Sequence, residues 1–271
     1  MRMLSIADRT GRAGRFLWSA WAGLAGLSVF AAAWQLGHEA YGSFILPSPA
    51  ETFTSLVALL ANKESWALVG ATASRALAGF SAAAGIGTLA GVLAGYHPAA
   101  MRLARPQITL LLGVPPIAWI VLLMIWFGTG AGTVMATATI ACLPIVFIGA
   151  AEGVASRDRA LDDMARAAGA GPFTRLFRVA LRQMLHTLFP ALVMALGTAF
   201  KAAVMAELLA NAGGVGEQLA IARANLDVAA ALAWILLSVA ALIAVEYGLL
   251  QPLRAEFETW REAARPWGVK R

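Results

Sequence analysis

Few side chains in this sequence have the type and spacing for chemistry. His38-Glu39 opens like a zinc-hydrolase pair, but no second His follows at the H-E-x-x-H spacing. No G-x-x-x-x-G-K-[ST] phosphate loop occurs, and the lysines are Lys63, Lys201 and Lys270 alone. Cys142 is the single cysteine, so the chain forms no internal disulfide. Neither a catalytic set nor a metal-ligand cluster emerges. What remains is charge and glycine in unexpected places.

Three such places stand out. Lys201 and Glu207 lie in or beside an apolar run that starts near His186 and ends near Leu209. A charged side chain at the centre of a membrane helix costs ~2.5–3.5 kcal/mol on insertion scales and faces a bundle interior or a wet cavity. Lys201 is about 22 Å along the helix from His186 at 1.5 Å per residue, in the far half of a bilayer. Two readings stay open for it. It is an electropositive point on a substrate pathway, with Glu207 nearby, or it snorkels to headgroups or pairs with an acid such as Glu207. The second place is "NAGGVGEQL" (Asn211 to Leu219), where Gly213, Gly214 and Gly216 permit tight bends. As an external turn it is a candidate gate or docking rim, and a plain connector is the other reading. The third is "DDMARAAGAGPFTRLFRVALRQ" (Asp162 to Gln183), an arginine-rich stretch split by Gly169, Gly171 and Pro172. Before the hinge, Leu161, Met164, Ala165 and Ala168 share one side of a short helix. After it, Phe173, Leu176, Phe177, Ala180 and Leu181 form a stripe of helical period. Such a helix pair rests its apolar face on bundle or lipid, and its hinge can present a knob to a partner.

The elements that position these residues are membrane spans. Of 271 residues 60% are hydrophobic and only 13% charged, about half the charge of a soluble domain. Mean hydropathy is +0.72. Runs of about 20 apolar residues span a bilayer as helices, and six are expected at 16–37, 76–97, 106–127, 132–152, 186–209 and 228–250. The fold class is therefore an all-α, polytopic membrane helix bundle. A tail of 1–15 precedes one transmembrane domain over 16–251, and a tail of 252–271 follows. The charged loop occupies 157–183. Arg2, Arg9, Arg12 and Arg15 before an apolar run resemble a secretory signal, but that run exceeds the usual 7–15 residues of a signal core. It is read as an uncleaved first span.

Orientation follows from basic residues. With the N-terminus in the cytoplasm, the two tails, the 157–183 loop and the Arg102/Arg105 pair all lie inside, carrying 17 of the 21 Lys and Arg. Both termini are therefore expected in the cytoplasm. The pI near 10.2 comes from four separate segments and not from one basic domain, which argues against nucleic-acid binding. Gly87, Gly91 and Gly95, four apart, mark a face for close helix packing. Pro115, Pro116, Pro144 and Pro190 invite kinks. Ser48-Pro49 reads as an N-cap and first position of a short external helix.

The 162–183 stretch resembles the cytoplasmic EAA loop of bacterial ABC-importer permeases, whose pattern is E-A-A, three residues, G, nine residues, I-x-L-P. Here Asp163, Met164 and Ala165 stand for E-A-A, Gly169 follows at the right distance, and Val179, Leu181 and Arg182 stand for I, L and P. "LPSP" (46–49), "SRALAGF" (74–80), "PPIAWIVLLMIWFGTG" (115–130) and "AELLANAGGVGEQL" (206–219) are similar to the nitrate, sulfonate and taurine importer group. The resemblance implies a type I importer permease of the bacterial inner membrane, working as a homodimer. It implies a cytoplasmic ABC ATPase dimer, which holds ATP and Mg while this chain binds no cofactor, and a periplasmic substrate-binding protein. Membrane lipid is the surrounding partner. The solute implied is a small anion such as a sulfonate, taurine or nitrate. Asp163, Met164, Ala165, Gly169 and Ala170 would form the ATPase-coupling surface. A self-contained secondary transporter and a membrane scaffold are the alternatives; neither requires an ATPase.

Overall fold

Helices account for the regular structure of residues 6–250, which the computed structural model describes. They are α1 (Ile6–Tyr41), α2 (Pro49–Ala61), α3 (Lys63–Tyr96), α4 (Pro98–Gly113), α5 (Pro116–Phe127) and α6 (Ala131–Ala155). After them come α7 (Arg159–Ala167), α8 (Pro172–Arg175), α9 (Leu181–Ala210), α10 (Val215–Ala224) and α11 (Val228–Val245). Wide turns of π type extend α8 into α9 (Leu176–Ala180) and continue α11 (Glu246–Leu250). The tail at 252–271 lies outside the described residues, as do residues 1–5 and the side chains of 6–20, where the first expected span begins.

Four segments among the described residues are long and apolar enough to cross a membrane: α3, α6, Pro172–Ala210 and Val228–Gly248. Two expected boundaries change for clear reasons. The span placed at 76–97 begins at Lys63, where Asn62 caps the helix by accepting from the Glu64 amide. Arg75 therefore lies inside the helix, tolerated because it is paired. The span placed at 106–127 is not one straight helix. Its two parts, α4 and α5, meet at 99°. Val114 precedes a proline and is driven to extended backbone, ψ 127°, and Pro115 follows at ψ 139°. Pro106, Pro144 and Pro190, by contrast, stay within helices. The short helix after the first span forms as expected, with Ser48 and Glu51 completing a reciprocal capping box.

The core is α6 between α3 and α9. Ala83, Ala138, Cys142, Val146, Ala195 and Ala199 interlock there with almost no exposure, and the Cys142 thiol donates to the Ala195 carbonyl at 3.0 Å. The glycine face of α3 makes this approach possible. A Cβ at Gly91 would collide with the Phe147 carbonyl and come within 2.8 Å of Ala150 Cβ; at Gly95 it would meet Val154 Cβ at 2.5 Å. The expected packing face is thus the α3–α6 seam. Replacing Gly91 with Val should force the two helices apart and cost about 1–3 kcal/mol. The check is thermal unfolding in detergent, and an unchanged midpoint would mean the seam is looser than this geometry requires.

Candidate functional site

At one end of the bundle the chain leaves α6 and is tied down before it turns. The Arg157 guanidinium stacks 4.3 Å from the Tyr96 ring and donates to its hydroxyl at 2.6 Å, joining the ends of α3 and α6. Asp158 caps α7 by accepting from the Ala160 amide at 2.8 Å. Its own amide donates to Gln183 Oε1 on α9 at 2.7 Å. The loop base is therefore fixed to the packed helices.

Gly169 then ends α7 by a specific device. The Ala170 amide donates to the Ala165 carbonyl at 2.9 Å and the Gly169 amide to the Arg166 carbonyl at 3.0 Å, with Gly169 at φ +79°. This is the double-bonded, left-handed helix end that glycine serves best. A side chain there would touch nothing within 4 Å, so only the backbone conformation demands glycine. Pro172 starts α8, and Arg175 folds back onto Asp162 through two bonds, at 2.9 and 2.5 Å. The hinge is thus locked in one shape.

The Asp162 carboxyl is held below its usual range chiefly by the Arg175 hydrogen bonds. A depressed carboxylate adds stability above its unfolded value, near 3.8, and loses it as pH falls through the lower folded value. The lock should therefore be unaffected between pH 5 and 8 and open only below about pH 4. Asp162→Asn should open it at neutral pH, seen as faster hydrogen exchange across 159–175. Equal exchange in both proteins would show the hinge closes without the ion pair.

Of the proposed coupling residues, Asp163, Met164 and Gly169 are exposed, and Ala165 and Ala170 are half-buried. The expected stripe after the hinge is not laid against the bundle. Ala180 is buried, but Phe173 is 77% and Phe177 60% exposed, and Met164 on α7 is 64% exposed. A wide turn at Leu176–Ala180 departs from the 3.6-residue period on which the stripe was read, and Phe173 lies before it.

At the opposite end lies an arrangement that sequence reasoning did not assemble. Glu207 on α9 has no exposed surface. Its Oε1 accepts from Arg75 Nη1 at 2.8 Å, and its Oε2 accepts from the Thr72 hydroxyl at 2.8 Å and the Gly216 amide at 3.1 Å. Arg75 also donates to the Gly213 carbonyl at 2.9 Å, and the Val215 amide donates to Thr72 Oγ1 at 2.9 Å. Glu207 is thus an internal anchor, enclosed by these partners. The Gly-rich turn is drawn in beside it. Gly214 and Gly216 are buried, so they form no exposed docking rim. Gly214 takes φ +93°, and a Cβ on it would lie 2.5 Å from Glu207 Oε1. The turn folds inward because glycine lets its amides reach the carboxylate. It also starts α10, a helix not foreseen in the sequence.

Lys201 is not Glu207's partner, because Arg75 is. It is exposed on α9. Part of the sequence signal for the true pair was available: Arg75 and Glu207 are opposite charges set in long apolar stretches of α3 and α9.

With this geometry in view, comparison with known proteins is informative. Residues 87–252 match the family described as binding-protein-dependent transport system inner membrane component. The riboflavin transport system permease protein RibX of Chloroflexus aurantiacus is 30% identical over 260 residues, 93% of this chain and 96% of that protein. A putative aliphatic sulfonates transport permease protein, SsuC of Bacillus subtilis, is 26% identical over 198 residues, covering 72% of each chain. The taurine transport system permease protein TauC of Escherichia coli is 29% identical over 151 residues, 56% of this chain and 55% of that one.

Proposed function

Given that the chain belongs to the family of binding-protein-dependent inner membrane components and is a multi-pass ABC importer permease, we propose that two copies form the pathway of an ATP-driven importer for a small anionic solute of the sulfonate, taurine or nitrate kind. The names of SsuC and TauC support that solute class. The long match to RibX favours a flavin-type solute as a second reading.

In this reading the 157–183 loop is cytoplasmic, as its arginines favour, and both termini lie on the same side of the bacterial inner membrane. The anchored Arg75–Glu207 end then faces the periplasm, where a binding protein delivers the solute. The single observation that carries the proposal is the locked hinge with its uncovered Met164, Phe173 and Phe177. Exposed apolar side chains on a rigid knob are what a partner groove takes, and a rigid knob transmits a push that a loose loop absorbs. The partner is a cytoplasmic ABC ATPase dimer, with ATP and Mg in its own sites. Asp163, Met164, Ala165, Gly169 and Ala170 form the contact. ATP-driven closure of that dimer moves two such knobs and reorients the pathway, while lipid surrounds the outer faces.

The test is a detergent pull-down of the tagged chain from native membranes, beside Met164→Glu. Recovery of an ATPase subunit with the intact chain, reduced about tenfold or more by the charge (~1.4 kcal/mol), supports the loop as the coupling surface. If no ATPase comes down with either protein, the importer reading fails and a self-contained transporter or scaffold replaces it.

A further inference from the structure

Resting on that importer reading, we propose that Lys201 is the anion contact of the pathway, an ammonium presented by each copy to an oxyanion such as a sulfonate. The argument starts from the side chains α9 leaves uncovered. Pro190, Met194, Lys201, Met205 and Leu209 are exposed and fall on one stripe, with Thr198 beside Lys201. The uncovered faces of α3 and α11 carry Ile86, Leu89 and Leu93, and Ile235, Val239 and Ile243; α3 adds the exposed Ser74 and Ser81, but neither face holds a lysine past the first turn of its helix. Branched aliphatic faces suit lipid tails. A stripe holding a lysine and a threonine suits a water-filled cavity, which is where charged groups within spans are found.

Lys201 is also free to bind. The acid within reach by sequence, Glu207, lies about 9 Å further along the helix and is held by Arg75, Thr72 and the Gly216 amide. Among the described residues Lys201 makes no ion pair, so its three N–H donors have no internal acceptor. Two such groups facing one another across a two-copy pathway favour a negative solute. The same ammonium chemistry would also hold a lipid phosphate, so the experiment must separate the two sources.

Thr198→Cys places a thiol one turn from Lys201. The natural Cys142 is the chain's only other cysteine and is buried, so background labelling is low. In membranes carrying the whole transporter, with and without ATP, the labelling rates of an anionic (sulfonatoethyl) and a cationic (trimethylammonioethyl) methanethiosulfonate are compared. An aqueous Lys201 should favour the anionic reagent, and Lys201→Met should lower the anionic-to-cationic ratio about tenfold. Lys201→Arg should preserve it. Labelling with a ratio indifferent to Lys201→Met would overturn the proposal. So would failure of both reagents in both nucleotide states, which would place the stripe against lipid and Lys201 among headgroup phosphates. Loss of this effect while an ATPase still copurifies removes only the role of Lys201; absence of the ATPase removes the importer reading itself.

Discussion

Glu207→Ala is expected to destabilise the protein by about 3–5 kcal/mol, the usual cost of removing one partner of a buried charge pair. The substitution leaves the Arg75 guanidinium inside an apolar helix without its carboxylate, and strips the acceptor from the Gly216 amide and the Thr72 hydroxyl. It also opens space beneath Gly214, which sits against the carboxylate oxygens. Thermal unfolding in detergent and the yield of monodisperse protein measure the effect. A second variant separates charge from packing. In Arg75→Met with Glu207→Met no charge is stranded, and buried pairs replaced by apolar groups are often near neutral. One cost persists, because the Gly216 amide still lacks an acceptor, worth about 1–3 kcal/mol. The double variant should therefore be more stable than Glu207→Ala alone. If it is less stable, charge is not what the anchor supplies. If Glu207→Ala matches the parent, the anchor does not hold the turn.

Gly169→Val is expected to lower ATP-driven uptake at least tenfold (~1.4 kcal/mol) while leaving the amount of folded protein near normal. The two halves of this expectation have separate physical causes. A Cβ at Gly169 meets nothing within 4 Å, so packing is not disturbed. The left-handed backbone at φ +79°, however, strains a β-branched residue by about 1–3 kcal/mol. The strain is relieved by letting the Ala170-to-Ala165 and Gly169-to-Arg166 bonds go, which redirects Pro172 and the Phe173 side chain. Gly169→Asn is the control, since asparagine enters this conformation with little penalty. Uptake retained by Asn and lost with Val would identify backbone shape as the requirement. Equal loss in both would point to a steric contact with the partner, and equal retention would remove the hinge from the coupling mechanism.

These two positions also show how legible the molecule was. Membrane character, the helical class and the helix break at Gly169 could be read directly, because each is written in local composition. Long charge-free runs have no stable alternative to a helix in lipid, and Gly169 followed by Pro172 stops one helix and starts another. The four-residue glycine spacing on α3 similarly announced a packing face, and the seam with α6 is where those glycines lie. Ser48 and Pro49 announced the start of α2 for the same local reason.

What failed was everything that depends on which distant group arrives. Arg75 looked like the edge of a span because a charge usually ends an apolar run; inside the bundle it is neutralised by Glu207, 132 residues away in sequence. Glu207 looked available to Lys201, and nothing local tied the Gly213–Gly216 turn to it. The pairing emerges because the Gly216 amide, the Thr72 hydroxyl and the Arg75 guanidinium converge on that carboxylate only when α3, α9 and the turn are assembled. By itself, then, the amino-acid order determined the membrane character, the helical class and the helix stop and start around Gly169 and Pro172, since apolar length and turn chemistry act over a few residues. Only the tertiary structure decided that Arg75 and Glu207 are each other's partners while Lys201 is left exposed, because the satisfaction of a buried charge depends on partners that local sequence does not contain.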